Sequence, residues 1–198
     1  TTAPFTREHE VHIAEHLGVA TLGPSQPEGP PTGDRAPKFV VCFDFDQRLM
    51  KGHWWGKHKN TPLDTITPQP CDFAHDDIGD LFDRILDIEG VKLAVASFGR
   101  RDVIHKALVS VLGEAQAADV YITTPGDFES YRDGCSMGEH YKNAEMQKIC
   151  ADMGVEPEQI IFFDDSRPNI THACDMGVNA FTTAPFTREH EVHIAEHL

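Results

Sequence analysis

Basic residues are scarce in this chain. Lys and Arg total 17 against 32 Asp and Glu, leaving a formal net charge of -15. A surface of that sign repels the nucleic-acid backbone, so no nucleic-acid partner is expected, and it welcomes multivalent cations. Apolar runs of membrane-spanning length are missing, as is a secretory leader, so the expectation is a soluble, cytoplasmic protein with no membrane partner. The five cysteines, Cys42, Cys71, Cys135, Cys150 and Cys174, are odd in number and form no CxxC pair. Cys42, Cys150 and Cys174 lie inside apolar patterns and read as small buried hydrophobes in a reducing compartment. What remains is an ordinary globular composition, 40% hydrophobic and 25% charged over 198 residues, which suits one domain with a substantial core.

The most informative stretch runs from Lys38 to Leu49. Its apolar run reads as a fully buried strand, and it ends on two carboxylates, Asp44 and Asp46. Residues two apart on an extended chain share a face, so both acids can converge on one small volume. The carboxyl end of a central parallel strand is where open α/β sheets bind ligands. Like charges that close repel unless one is protonated or a cation intervenes, and a bound Mg²⁺ is the economical solution.

Downstream, strands alternate with helices. Asp76–Ile88 has helical apolar spacing, Val91–Ala96 is a strand ending at Ser97, and a helix is expected over 101–112. Short strands follow at 119–123, 159–163 and 179–181, with helices over 139–153, stopped by Gly154, and 168–176. This alternation predicts an α/β fold, a doubly wound, Rossmann-like parallel sheet between two helical layers. Met50–His75, rich in Pro, Gly, His and Trp, reads as a flap beside the acidic strand end. It is expected to be either mobile, with Trp54 and Trp55 as a lid or substrate contact, or packed and anchored by both tryptophans.

The termini repeat. Thr1–Leu17 recurs without one change as Thr182–Leu198. Drifted repeats keep pattern rather than identity, so the match points to a very recent duplication or, by preference, to engineering. Each copy reads as a loop and a short helix capped by Thr6 or Thr187, its apolar face formed by Val11, Ala14 and Leu17 in the first copy. Residues 1–17 are thus taken as a duplicated terminal segment, 18–37 as a Pro/Gly-rich linker and 38–198 as the main domain. At about 3.3 Å per residue the linker could reach about 60 Å, so exchange of the terminal helix, within a molecule or in a homo-oligomer, is sterically open.

Four features now stand in order: an apolar strand then Asp44 and Asp46, a strand then Ser97, Lys142 heading a helix, and a strand then Asp164 and Asp165. In this arrangement, over Lys38 to Phe181, the chain resembles the haloacid dehalogenase-like phosphatases, and most of all their small capless, magnesium-dependent branch. No segment large enough for a cap domain lies between the motifs. The resemblance implies Asp44 as nucleophile, forming an aspartyl-phosphate, and Asp46 as general acid and then base. It implies Ser97 and Lys142 as phosphoryl contacts, Lys142 also holding Asp44 ionised. Asp44, the Asp46 carbonyl and Asp164 would hold Mg²⁺, with Asp165 as a further ligand or a support behind the ligands. Arg100, Trp54 and Trp55 are further candidate substrate contacts, and the substrate would be a phosphorylated small molecule or a phosphoprotein. Two residues after Asp46, where the family carries Thr or Val, this chain has Arg48. That side chain could point outward, add a phosphate contact, or cross the pocket and impair turnover, leaving a binding or scaffold protein.

One rival motif is present. His12-Ile13-Ala14-Glu15-His16, with its copy His193–His197, fits the HxxEH metalloprotease pattern. It sits on a short terminal helix with no acidic ligand downstream, so a solvated His/Glu face is the better reading.

Overall fold

The computed structural model describes residues 37–74, 78–128 and 141–182. Both copies of the terminal helix, the HxxEH motif and nearly all of the linker lie outside these residues. Among the described residues, five parallel strands form one sheet: β1 Phe39–Phe43, β2 Val91–Ala96, β3 Tyr121–Thr123, β4 Ile160–Asp164 and β5 Asn179–Thr182. Their order across the sheet is β3-β2-β1-β4-β5, so the acidic strand is central. In register, Phe43 lies beside Val95 on one side and Phe163 on the other.

The period of two along β1 feeds two cores. Val41 and Phe43 join Leu93, Val95, Ile161 and Phe163 on one face. Helices α2 (Ile78–Leu86) and α3 (Arg101–Asp119) cover that face. Ile78, Leu81, Phe82 and Ile85 supply the buried stripe of α2, at the i, i+3, i+4, i+7 spacing that makes a helix one-sided. Val40 and Cys42 point the other way, to Ala94, Ala96 and Phe162, under Met146, Ile149 and Ala173. Those last three come from α4 (Asn143–Met153) and α5 (Arg167–Asp175). The result is the three-layer α/β sandwich expected from the alternation, with no large cap domain among the described residues.

Two differences from the sequence reading have clear causes. Helix α3 does not stop at Leu112: Gly113, at φ 77°, breaks the helix locally, and a second stretch continues to Asp119 with Ala117 buried. Gly154 does end α4, in the left-handed conformation at φ 68° that favours glycine. Of the three cysteines expected inside, Cys42 is buried, Cys150 is half-buried and Cys174 is exposed. The period-3.6 pattern of α5 turns Ala173, not its neighbour Cys174, toward the sheet.

Between Asp46 and α2 lies the insert expected as a flap. It is packed. Its base is pinched by Lys51 N–H to Asp72 O at 2.7 Å and Ala74 N–H to Leu49 O at 2.8 Å. Met50, Trp54, Ile66 and Phe73 bury their side chains beneath it. A short helix, α1 (Trp54–His58), forms its first part. One tryptophan anchors it rather than two: Trp54 is 3% exposed and Trp55 44%. No helix among the described residues is long and apolar enough to cross a membrane.

Candidate active site

The sheet order brings the ends of β1, β2 and β4 together, and three of the sequence-selected features with them. Asp44 follows β1 and extends its ladder, Asp44 N–H donating to Phe163 O at 2.8 Å. Asp164 ends the neighbouring β4, and Asp165 follows it. Carboxylate oxygens of Asp44, Asp164 and Asp165 lie within 4.8 Å of one another.

Lys142 reaches into this cluster from the start of α4 and is 1% exposed. Its ammonium donates to Asp44 Oδ1 and to Ala96 O, the latter at 2.6 Å, and stands 3.2 Å from Asp164 Oδ2. Burial by itself would lower the pKa of Lys142, but the Asp44 and Asp164 charges outweigh it and drive the pKa up, keeping the side chain cationic. Burial pushes the Asp44 carboxyl up to about 7, with Lys142 opposing and Asp164 adding to the rise. Asp164 is fixed by Ser166 N–H at 2.7 Å and Asn169 Nδ2 at 2.9 Å.

The Asp46 carboxylate is aimed elsewhere. The chain turns sharply over Phe45–Leu49, and the Asp46 carboxylate accepts Trp54 N–H at 2.8 Å and Trp55 N–H at 3.2 Å. Two residues apart was enough to bring both acids to the site, but not to aim both side chains at one cation. Burial raises the Asp46 pKa, with those two N–H groups partly opposing it. Ser97, buried at the end of β2, accepts Gly99 N–H on its Oγ at 3.0 Å, which leaves its own proton available to donate. A Cβ at position 99 would come within 3.1 Å of that Oγ, so a larger residue there would press on the hydroxyl and shift it.

The other candidates are placed differently. Arg100 is tied down: its Nη1 donates to His58 O at 2.9 Å and Thr61 O at 2.7 Å, while Nε and Nη2 hold Asp102. It straps the insert to α3 instead of facing the carboxylates. Trp54 packs edge-on to Phe45 and cannot meet a substrate without unpacking the insert. Only Trp55 stands open at the surface. Arg48 does not point harmlessly outward: it is half-buried, and the charges it feels are Asp165, Asp44 and Asp164. Burial lowers its pKa, with those carboxylates opposing the fall.

Sequence reasoning passed over three polar residues near these groups. Asn169 fixes Asp164, Gln47 donates to Asp165 at 2.8 Å, and Glu145 is buried on α4. Only Asn169 had a local signal, as the inward polar residue on the first turn of α5. Glu145 is 0% exposed, and its oxygens have no partner among the described residues. Burial raises its pKa to about 7 from an ordinary 4.5. A carboxyl raised on folding adds stability below pH 4.5 that is lost as pH climbs through 7. Glu145→Gln should therefore gain roughly 2–3 kcal/mol over the parent at about pH 8 and little at about pH 5, as urea unfolding at each pH will measure.

Among the described residues, three carboxylates gather around the single ammonium of Lys142, with the half-buried Arg48 within range of their charge, leaving a negative balance on hard oxygen donors. That donor set suits a small divalent cation such as Mg²⁺, which would also offset the cost of an ionised Asp44.

The profile of the acid phosphatase family matches residues 35–191, which span the whole cluster. The chain belongs to the acid phosphatase family. That places it among the haloacid dehalogenase-like phosphatases, as its motif order implied. Comparison with curated proteins gave no match. Among solved structures, the chain is similar to the haloacid dehalogenase-like domain of effector Lem4 from Legionella pneumophila, at 14% identity and a TM-score of 0.53, covering 81% of this chain and 93% of that one. An inactive mutant of the same domain gives 13% identity and 0.53, over 82% and 93%. At such identity the likeness concerns the fold.

Proposed function

We propose that this acid phosphatase family member hydrolyses phosphomonoesters through an aspartyl-phosphate on Asp44. The observation that carries the reading is Lys142, a buried cation shared by Asp44 and Asp164 at the mouth of the sheet. Asp44 attacks phosphorus, forming a P–O bond as the bond to the leaving oxygen breaks, and that oxygen takes its proton from Asp46. Asp46, whose pKa is raised, suits the acid role. It then accepts a proton from the water that attacks the phosphoryl group, releasing phosphate and restoring Asp44. Ser97 donates to a phosphoryl oxygen, and Lys142 balances the charge that develops. Mg²⁺ held by Asp44, Asp164, Asp165 and the Asp46 carbonyl would supply further positive charge to the transferred group.

An open groove of about 1500 Å³ adjoins the Ser97 loop, lined by Leu63, Gly99, Arg100, Thr124 and Asp127 among others. The catalytic candidates do not line that groove, and it is the lack of a large cap domain among the described residues that suits the site to a bulky phosphoester, a phosphoprotein included, as readily as to a small one. The four cysteines among the described residues are free, which fits a reducing, cytoplasmic setting.

The test is release of phosphate from p-nitrophenyl phosphate. Turnover is expected with Mg²⁺, is lost on chelation, and returns when Mg²⁺ is restored; silence with Mg²⁺ in both the parent and Arg48→Thr would overturn the proposal. Arg48 gives a second reading its footing, since its charge competes with a cation for the same carboxylates. Arg48→Thr should tighten Mg²⁺ about five- to tenfold and raise turnover at limiting Mg²⁺, by removal of a partly screened like charge. A silent parent with an active Arg48→Thr variant would establish the impaired, scaffold-like reading instead.

A further inference from the structure

We propose that Gln47 is a positioning residue for the cation site, holding Asp165 through its side-chain amide; the inference rests on the phosphatase reading above. Gln47 sits at φ 58°, ψ 0°, left-handed backbone that residues with a Cβ adopt only under constraint. Its N–H donates to Gly52 O at 3.1 Å, which closes the turn after Asp46. The conformation throws the side chain back across the sheet edge, where Nε2 reaches Asp165 Oδ2 at 2.8 Å over 118 residues of sequence.

The choice of an amide is chemically specific. A carboxylate only accepts hydrogen bonds, so the Gln47 NH₂ is the donor and one Asp165 oxygen is fixed. A neutral donor orients that carboxylate without cancelling its charge, whereas a Lys or Arg there would neutralise a cation ligand. The bond also joins the turn that carries Asp46 to the strand end that carries Asp164 and Asp165. Partners of this kind, one step behind the ligands, set how well a carboxylate meets its ion. An exposed hydrogen bond alone would not offset a strained backbone. A bond that holds a ligand in place gives the strain a purpose.

Gln47→Gly separates the two contributions, since glycine accepts the backbone angle and removes only the amide. On the full chain, calorimetric titration with MgCl₂ should show about tenfold weaker binding for Gln47→Gly, while its Tm without metal stays at or above the parent's. In an Asp165→Asn background the same substitution should change Mg²⁺ affinity no further. Unchanged affinity in Gln47→Gly, or a full tenfold loss persisting beside Asp165→Asn, overturns the proposal and leaves the phosphatase reading standing. A parent that binds no Mg²⁺ overturns this inference, and p-nitrophenyl phosphate turnover on the same sample tells whether the phosphatase reading falls with it.

Discussion

Lys142→Met should both destabilise the protein and silence it. The ammonium is the common partner of Asp44 and Asp164, and all three are buried. Taking it away leaves two carboxylates face to face, with the Ala96 carbonyl short of a donor. Breaking a buried ion pair from one side typically costs about 3–5 kcal/mol, because the surviving charge stays desolvated. Part of this returns if a carboxyl takes up a proton, so the loss should be smaller at acid pH than at neutral pH. On the phosphatase reading, turnover should fall about 10²–10³-fold from lost charge stabilisation alone. Urea unfolding at two pH values, with turnover of p-nitrophenyl phosphate alongside, checks both halves. Parental stability at neutral pH would show that Lys142 is not the electrostatic keystone of the site.

Asp44→Asn should leave stability nearly unchanged while removing more activity. Asparagine keeps the shape, sheds a carboxylate whose ionisation burial resists, and leaves Lys142 with Asp164 and the Ala96 carbonyl. The lost attraction and the relieved desolvation are of similar size, so stability should shift by no more than about 1–2 kcal/mol. Activity should drop by about 10⁴-fold or more, since an amide cannot form the acyl-phosphate. Measured side by side, the pair of variants distinguishes a residue that builds the site from one that reacts in it. Asp44→Asn with substantial turnover would remove Asp44 from the nucleophile's place.

How far the site could be read beforehand depends on what kind of signal each residue carries. Asp44, Ser97 and Asp164 each close an apolar run, and Lys142 opens a helix, so local patterning marked them. Their sharing of one corner follows from parallel strands whose carboxyl ends point the same way. Trp54 and Trp55 looked alike in sequence, yet one is core and the other surface, because a five-residue helix turns neighbours to different sides. Arg100 looked like a phosphate contact, yet its partners are carbonyls 39 and 42 residues earlier, which no local pattern announces.

Periodicity and the placement of polar residues at strand ends were enough to determine a doubly wound sheet with acids at the edge of its central strand. Those are local properties, fixed by how side chains alternate along a strand or around a helix. Folding decided the rest: that Asp46 turns to the amides of α1, that Arg48 is half-buried within range of the carboxylates' charge, and that Gln47 bridges to Asp165. The first depends on how the insert folds back on the strand end, and the others on segments distant in sequence arriving at one place, which is set by the packing of layers and not by the residues on either side.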